Sequence, residues 1–374
     1  MYQHTVLIAL AGLDIGGTET HAVVLCKNLV DLGYKVIVAS SGGIYVKEIT
    51  DYGIKHYNIK LNTKKPLEVI KAITSLKRII KSEQVDIIHA HARIPAFICN
   101  IVSNISKVRF MTTAHAKFRT NFALRIISAW GEKTIAVSED IKEHLIKSFK
   151  VKEENITVIT NGIDIKQFSP GISYQTLIDE FKIEPSLKKF VWISRIDDDL
   201  SNTITSLIDS ANLLVKEFNF VLLIIGSGNK LEEIKLKSAE KNREIGKEVI
   251  KVVGRRTDIN LFLNLCDIFI GISRAALEAM ACEKPVIIAG PWSFVGIANE
   301  NNMQTMICDN FTGRNSTQPV TKELLADAIS KVLNMSDSEK DFLGKSSRKM
   351  VLESYSSDNM VNKTNEVYQA LLSK

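Results

Sequence analysis

Several features that would place this chain in particular classes are missing from its 374 residues. No apolar run approaches the ~20 residues needed to cross a bilayer, so we do not expect a membrane-spanning protein. The short apolar stretch near the N-terminus has no basic residue before it, which argues against a signal peptide and for a buried first strand. The five cysteines stand singly in apolar segments without a CxxC pair. They indicate a reduced, cytoplasmic protein rather than a disulfide or zinc framework.

Charge is distributed unevenly along the chain. Residues 1–170 carry 23 Lys and Arg against 15 Asp and Glu, whereas residues 171–374 carry 25 against 27. A basic first half favours an anionic partner, such as a phosphorylated acceptor or the anionic inner face of a membrane. A solvated lysine-rich surface explains the same charge equally well. No nucleic-acid motif accompanies it, so we do not expect nucleic acid as a partner.

The chain alternates short β-branched runs with amphipathic helical stretches, a pattern typical of parallel sheets with crossover helices. The periodicity weakens between residues 168 and 188, where two prolines and a glycine fall, and we predict a linker there. The prediction is an α/β protein with two Rossmann-like, doubly wound domains facing across a cleft. The first domain spans 1–170, with a C-terminal helix over 355–374 packing back on it; the second spans 171–354.

An ordered set of segments resembles the family 4 glycosyltransferases, which are retaining enzymes of the GT-B architecture. The likeness runs almost end to end. It rests on GGTETH (16–21), HAHA (89–92), TTAHA (112–116), AVSEDIKEHL (136–145), NGIDIKQF (161–168), SRID (194–197), IGSGN (225–229), VVGRRTDINLFLNLCDIFI (252–270) and LEAMACEKPVI (277–287). The resemblance implies a transferase that uses a nucleotide sugar.

In the first domain, a glycine pair lies between a strand and a helix, where backbone amides can approach a phosphate or sugar. The segment lacks GxGxxG and is not a dinucleotide fingerprint. We predict an acceptor or phosphate loop made of Gly16, Gly17, Thr18 and Glu19. By resemblance, His115 faces the transferred sugar or the acceptor; a structural strand-end histidine is the alternative.

Two further features of the first domain carry predictions. We expect His89 and His91 to point to opposite faces of their strand, so that at most one reaches the ligand and the two form no metal pair. Basic and aromatic side chains after His115 predict an acceptor surface near a membrane, or else a solvated helix face: Lys117, Phe118, Arg119, Phe122 and Arg125.

In the second domain, Arg195 directly follows a strand, where a guanidinium can grip a diphosphate and stabilise its departing charge. The resemblance makes Arg195 a donor-phosphate residue and gives Glu278 the donor ribose. We expect Glu278 in the first turn of its helix, where an acidic residue also compensates the helix dipole. Further donor contacts are predicted from Gly226, Gly228, Gly254, Ser273 and Arg274.

The acidic run Asp197-Asp198-Asp199 resembles a metal motif, but metal-bound acidic triplets belong to the other main glycosyltransferase architecture. We interpret the run as a loop and expect no metal. No cofactor is expected beyond the nucleotide-sugar substrate, with a UDP-sugar favoured over a GDP-sugar.

The sequence departs from the family pattern at the donor site. Leu200 stands where the family usually has a second phosphate-binding lysine, and the acidic loop before Glu278 is shortened. We predict that Arg195 and Arg274 form the anion clamp instead, helped by backbone amides around Gly271 and Ser273.

The predicted function is retaining transfer of a sugar to a glycan, lipid or small-molecule acceptor, in cell-envelope or polysaccharide biosynthesis. Because the donor site has lost family residues, a non-catalytic homologue acting as a partner or scaffold is the alternative. A sugar-nucleotide epimerase is a further one, although no additional acid–base carboxylates are evident.

Overall fold

The computed structural model describes residues 4–373 except Phe122, Ala123, Ile126 and Trp292. It divides into two compact units. The first unit is Met1–Gly162 with Ser356–Lys374, and the second unit is Ile163–Tyr355. Among the described residues, no helix is both long and apolar enough to cross a membrane.

The first unit contains a seven-stranded parallel sheet with strand order β3-β2-β1-β4-β5-β6-β7. Its strands are β1 (Thr5–Ala9), β2 (Lys35–Ser40), β3 (Lys55–Asn58), β4 (Ile87–Ala90), β5 (Arg109–Ala114), β6 (Lys133–Ala136) and β7 (Ile156–Val158). The helices between them are α1 (Gly17–Asp31), α2 (Tyr45–Asp51), α3 (Pro66–Glu83), α4 (Arg93–Ser106) and α5 (Glu139–Phe149). The strand order reverses between β1 and β4, and in such sheets ligands bind where the strands at the reversal end.

The second unit contains a six-stranded sheet with order β10-β9-β8-β11-β12-β13, parallel except for β13. Its strands are β8 (Lys188–Ile193), β9 (Phe220–Ile225), β10 (Ile250–Gly254), β11 (Ile268–Gly271), β12 (Val286–Ala289) and β13 (Phe294–Ile297). Its helices are α6 (Gln175–Phe181), α7 (Asp198–Leu214), α8 (Leu231–Ile245), α9 (Ile259–Leu265), α10 (Ser273–Ala281), α11 (Glu300–Cys308), α12 (Lys322–Asn334) and α13 (Asp337–Ser354). Here the reversal lies between β8 and β11.

The central strands form because their sequences are mostly apolar. All five residues of β1 and all six of β9 are buried, as expected for parallel strands covered by helices on both faces. Those helices contribute apolar side chains to core clusters on either side of each sheet.

The segment predicted as a linker belongs to the second unit. Helix α6 lies within it, and Phe168, Leu177 and Ile183 are buried in that unit's core. The division between the units falls after Gly162, ahead of the predicted boundary at residue 170. Proline and glycine interrupt the periodicity of this segment without ending its contribution to the core.

The C-terminal helix α14 (Ser357–Leu372) packs on the first unit beside α1. Ser356 caps it by accepting a hydrogen bond from the Asn359 amide. Tyr368 is fully buried in the first unit's core, and the Tyr34 hydroxyl donates to Asn365 Oδ1 at 2.5 Å. Side-chain burial and these hydrogen bonds therefore tie the chain's end to its beginning.

Glu83, the last residue of α3, joins the helix to the edge of the first sheet. Lys35 Nζ lies 2.8 Å from Glu83 Oε2 and Lys55 Nζ lies 2.6 Å from Oε1. The Tyr57 hydroxyl donates to the same carboxylate. These hydrogen bonds, with that of Lys35 the largest, lower the pKa of Glu83 to about 2.

Replacing Glu83 with Gln should lower the free energy of unfolding at pH 7 by about 1–3 kcal/mol, because charge-assisted hydrogen bonds are lost. A carboxyl whose folded pKa lies below its unfolded value of 4.5 stabilises the fold above that value. The difference between wild type and variant should therefore shrink as the pH falls from about 5 towards 2.

Urea denaturation across this pH range measures the effect. Asp51→Asn is the control, because the exposed Lys47–Asp51 pair should be worth no more than about 1 kcal/mol. Equal unfolding free energies for wild type and Glu83→Gln at pH 7 would show that the charged Glu83 carboxylate does not stabilise the fold.

Candidate functional sites at two sheet edges

Three histidines meet at the carboxyl ends of the central strands of the first sheet. His91 directly follows β4, His115 directly follows β5, and His21 lies on α1, the helix that follows β1. His91 Nδ1 and His115 Nε2 are 3.1 Å apart and hydrogen-bonded. The His21 ring lies 4.7 Å from that of His115, centroid to centroid. We call these three residues the histidine cluster.

His89 lies beside the histidine cluster and has a structural role. Its Nδ1 is 2.8 Å from the Tyr368 hydroxyl, and its Nε2 is 2.7 Å from Thr113 Oγ1. It thereby links β4 to β5 and to helix α14. The prediction that His89 and His91 point to opposite faces is wrong: their ring centroids are only 4.2 Å apart. Residues two apart along a strand share a face, which explains the contact.

Burial keeps these imidazoles uncharged. It lowers the pKa of His89 and of His115 to about 3, and lowers that of His91 well below its usual value. The neighbouring imidazoles add to the effect for His89 and His91. At neutral pH these rings therefore act as hydrogen-bonding groups or ligands with free lone pairs, and not as cations.

The glycine loop after β1 leaves open space at the start of α1. Gly16 is the N-cap residue and uses no side chain to cap the helix. Gly17 is exposed, and a Cβ added there would meet nothing within 4 Å, so a ligand can approach its backbone. Gly43 packs closely against the residues that precede this loop. A Cβ added to Gly43 would lie only 2.3 Å from the Leu13 carbonyl carbon. Thr18 and Glu19 follow in the first turn, with the Glu19 carboxylate folded back over Gly16.

The predicted basic surface after His115 is partly engaged in internal contacts. Lys117 Nζ lies 3.1 Å from Asp140 Oδ2, and Arg125 donates to the Ser148 carbonyl oxygen. Phe118 packs against Trp130. Phe122 lies outside the described residues. Membrane contact through this surface stays a prediction.

In the second unit, two glycines allow the loops after β8 and β9 to touch. A Cβ on Gly226 would lie 1.9 Å from the Ser194 carbonyl oxygen, and one on Gly228 would lie 2.3 Å from that of Ile196. The Ile196 amide donates to the Ser227 carbonyl oxygen at 3.0 Å. The glycines of IGSGN thus fix the loop that carries Arg195.

Arg195 follows β8 at the strand reversal of the second sheet. Its side chain is 73% exposed, with NH1 3.3 Å from Asp197 Oδ2. Asp198 and Asp199 form the first turn of α7, so the expectation that the acidic run is a loop is wrong for these two. Asp197 accepts a hydrogen bond from the Asn229 amide. The run therefore begins helix α7, with Asp197 at the N-cap position, and it holds the loop that contains Gly226 and Gly228 through Asn229.

Arg274 and Glu278 form a buried ion pair on α10, directly after β11. Arg274 Nε lies 2.8 Å from Glu278 Oε1, and both side chains are 9% exposed. Burial raises the pKa of Glu278, and the Arg274 charge opposes that rise. The prediction that Glu278 lies in the first helical turn is wrong, because it is the sixth residue of α10. It therefore does not compensate the helix dipole; it holds Arg274.

The predicted anion clamp thus consists of two unlike arginines, one exposed and one buried against a carboxylate. The amide of Ser273 is not free for a ligand, because it donates to the Phe311 carbonyl oxygen at 2.8 Å. Ser273 itself has a φ of 56°. Gly254 ends the edge strand β10, and its carbonyl oxygen accepts from the Gly226 amide. Gly254 therefore supports the loop after β9, which contains Gly226 and Gly228.

Sequence reasoning missed His21 as a partner of His115, and Tyr368 as a partner of His89. The final residue of GGTETH was a usable signal for His21, because the helix after β1 starts at the sheet reversal. Nothing local in the sequence relates Tyr368 to residues near position 89.

Two family models match consecutive parts of the chain. The model described as Glycosyltransferase Family 4 matches residues 15–167, and that described as Glycosyl transferases group 1 matches residues 188–335. The Escherichia coli UDP-Gal:alpha-D-GlcNAc-diphosphoundecaprenol alpha-1,3-galactosyltransferase is 22% identical over 325 residues, which are 80% of this chain and 79% of that protein. An uncharacterized glycosyltransferase of Methanocaldococcus jannaschii is 21% identical, covering 95% and 94% of the two chains.

Solved structures share the fold. A glycosyltransferase from Rickettsia africae superposes with a TM-score of 0.82 at 22% identity, covering 99% of both chains. The Anabaena protein HepE, solved in complex with UDP and glucose, gives a TM-score of 0.78 at 17% identity, covering 98% of this chain and 100% of that one.

The two sheets, each reversing its strand order about a central pair, define the GT-B class of glycosyltransferases. Within that class the chain belongs to the family 4-like, group 1 glycosyltransferases. The resemblance drawn from the ordered motifs is confirmed.

Replacing Gly226 with Ala should disrupt the loop that carries Arg195, because the new Cβ would overlap the Ser194 carbonyl oxygen. Gly254→Ala is the matched control, since Gly254 also has a positive φ, 86°, but has open space around it. Backbone strain alone should cost the control about 1–2 kcal/mol.

Thermal and urea denaturation measure how much unfolding free energy each variant loses relative to wild type. We expect Gly226→Ala to lose clearly more unfolding free energy than Gly254→Ala. Equal losses would show that the close approach of the two loops does not matter.

Proposed function

We propose that this glycosyltransferase takes a sugar from a nucleoside diphosphate sugar bound to its second unit. The acceptor is a glycan, a lipid-linked or a small molecule, and transfer proceeds with retention, in cell-envelope or polysaccharide biosynthesis. One observation carries this proposal. An exposed Arg195 and a buried Arg274–Glu278 ion pair follow the ends of two neighbouring strands, β8 and β11.

Arg195 is the residue proposed to bind the donor diphosphate. Its guanidinium is mostly exposed and its ion pair with Asp197 is open to solvent, so a diphosphate can displace that carboxylate at little cost. Arginine can hold phosphate oxygens with two parallel hydrogen bonds. The same contact stabilises negative charge as the diphosphate leaves the sugar.

Leu200 makes the proposed role of Arg195 more important. It packs against the apolar core of the second unit and supplies no cation where the family usually has a lysine. The loop holding Gly226 and Gly228 is fixed beside Arg195 by its close contact with the loop after β8.

Glu278 is proposed to accept hydrogen bonds from the donor ribose. A buried carboxyl on its own would take up a proton, but the charge on Arg274 favours the ionised form. Arg274 thereby orients Glu278 and keeps it an acceptor. Ser273, at the start of the same helix, completes the proposed donor-binding set.

The acceptor is proposed to bind the first unit. The open backbone at Gly17 gives an acceptor sugar or phosphate direct access to the start of α1, beside Gly16, Thr18 and Glu19. His115, held by His91, offers a neutral imidazole for a sugar hydroxyl.

Uridine is the proposed base. The Escherichia coli relative is named for UDP-Gal and for an acceptor linked to diphosphoundecaprenol. The Anabaena structure was solved with UDP and with UDP-glucose. These names support a UDP-sugar donor and are compatible with a lipid-linked acceptor. No cofactor besides the donor is proposed.

The proposal predicts that UDP stabilises the folded protein more than GDP, ADP, dTDP or CMP does. A ligand at a hundred times its Kd adds about 2.7 kcal/mol to the folded state. Thermal denaturation with each nucleotide measures the shift. Arg195→Ala should reduce or abolish the UDP shift, because the diphosphate loses its main cation.

Arg243→Ala is the matched control, because Arg243 is an exposed arginine in the last turn of α8, away from the strand ends. Its UDP shift should equal that of wild type. If no nucleotide shifts the transition at millimolar concentration, the proposal fails and the non-catalytic partner becomes the better account.

A further inference from the structure

The outward side of helix α3 carries aliphatic and basic side chains together. Leu67 is 75% exposed and Ile70 is 59% exposed, although both are large aliphatic residues. Spacings of three and four residues place them in one stripe along the helix with four exposed cations. We call this stripe the α3 face, and it consists of Leu67, Ile70, Lys71, Lys77, Arg78 and Lys81.

The cations of the α3 face are free to meet an external anion. None of the four makes a salt bridge within the part of the chain that the structure describes. Of the two carboxylates on α3, Glu68 pairs with Lys60, with Nζ 3.1 Å from Oε2. Glu83 is held by two lysines of the sheet edge. Two more exposed lysines, Lys64 and Lys65, directly precede the helix and add to its positive charge.

The opposite side of α3 fixes the helix on the first sheet. Ala72, Leu76, Ile79 and Ile80 are buried in the core of the first unit. The helix has 18 residues, so it extends over about 27 Å. A stripe of this length on an outward helix surface suits a flat partner, which contacts all of its side chains at once.

The aliphatic residues distinguish between two kinds of polyanion. A nucleic acid would pair with the cations but would leave Leu67 and Ile70 in water, because its backbone is charged. An anionic membrane accommodates both kinds of side chain. Aliphatic groups enter the boundary between headgroups and acyl chains, while lysine and arginine stay at the headgroups. The α3 face therefore matches an anionic membrane.

The aliphatic end of the α3 face lies at the same sheet edge as the proposed acceptor loop. Helix α3 follows β3, and just before it Asn62 Oδ1 lies 3.3 Å from Ser41 Oγ in the loop after β2. That loop contacts the chain before the glycine loop, where the Leu13 amide donates to the Gly42 carbonyl oxygen at 2.8 Å. Ile44, also in the loop after β2, is 46% exposed and adds a third aliphatic side chain to this edge.

We propose that the α3 face binds the surface of an anionic membrane. Leu67 and Ile70 enter between the headgroups, and the four cations contact lipid phosphates. This surface differs from the predicted one after His115, whose basic side chains are partly engaged in internal contacts. Membrane binding itself does not depend on the proposed sugar transfer; its benefit for a lipid-linked acceptor rests on that function.

The experiment is flotation of the full-length protein, without nucleotide, on vesicles of mixed phosphatidylglycerol and phosphatidylcholine. Vesicles of phosphatidylcholine alone are the uncharged comparison. We expect the protein to float with the mixed vesicles and to stay behind with the uncharged ones. Binding should weaken as sodium chloride rises from about 0.1 M to 1 M, because the Debye length falls from about 10 Å to 3 Å.

Removing two cations tests the electrostatic part. Lys77→Gln combined with Arg78→Gln should weaken binding to the mixed vesicles by about 25-fold, because each cation near an anionic surface contributes about fivefold. Lys345→Gln combined with Lys349→Gln is the matched control, since both are exposed lysines of α13 in the second unit. This control should bind as wild type does.

Removing the aliphatic side chains tests the insertion. Leu67→Ser combined with Ile70→Ser should weaken binding to the mixed vesicles by at least about tenfold. The matched control is Leu236→Ser combined with Phe342→Ser, because these residues are 73% and 63% exposed on helices of the second unit. Circular dichroism and thermal denaturation show that each variant is folded.

Three results would overturn the proposal. The first is no flotation of wild-type protein with the mixed vesicles. The second is binding that neither pair of α3 substitutions weakens. The third is a DNA duplex bound as tightly as the vesicles, with no loss in the Leu67→Ser, Ile70→Ser variant. The thermal shift with UDP is measured separately, so failure of membrane binding is distinguishable from failure of the proposed function.

Discussion

Parallel pairing of the central strands is the constraint on which both candidate sites depend. Because β1, β4 and β5 run in one direction, the residues that follow them reach the same edge of the sheet. The same holds for β8 and β11, which bring Arg195 and Arg274 to one edge. Residues far apart in sequence become neighbours only because both faces of these strands are apolar and covered by helices.

The candidate sites at the two sheet edges differ in charge. The first unit gathers neutral imidazoles, whose charge is suppressed by burial. The second unit presents an exposed guanidinium beside a buried ion pair in which Arg274 opposes the rise in the Glu278 pKa. One edge therefore offers lone pairs and the other offers positive charge, which suits a hydroxyl-bearing acceptor and an anionic donor respectively.

Most of the fold follows from the sequence, because strands and helices alternate with strong periodicity. The C-terminal helix, for example, was predicted over 355–374 and is observed over Ser357–Leu372. Strands β3 and β13 were not predicted. The first is a partly exposed edge strand, KHYN, and the second, FVGI, contains a glycine; neither has a distinctive apolar pattern.

Less of the candidate sites could be predicted from the sequence. Motif order located Arg195, Glu278 and His115, but their contacts depend on tertiary structure. The Arg274–Glu278 pair follows from helical spacing, since residues four apart share a face, yet its burial does not. The contact between Tyr368 and His89 spans most of the chain and has no local signal.

The central claim is that this chain transfers a sugar from a UDP-sugar, and the most direct test is UDP release. Wild-type protein is incubated with a panel of UDP-sugars and an extract of lipids and glycans as acceptor. We expect one UDP-sugar to release UDP well above the protein-free rate, and Arg195→Ala to slow that release by about 10²–10³-fold. No release from any UDP-sugar by folded protein, or release unchanged by Arg195→Ala, would contradict the account.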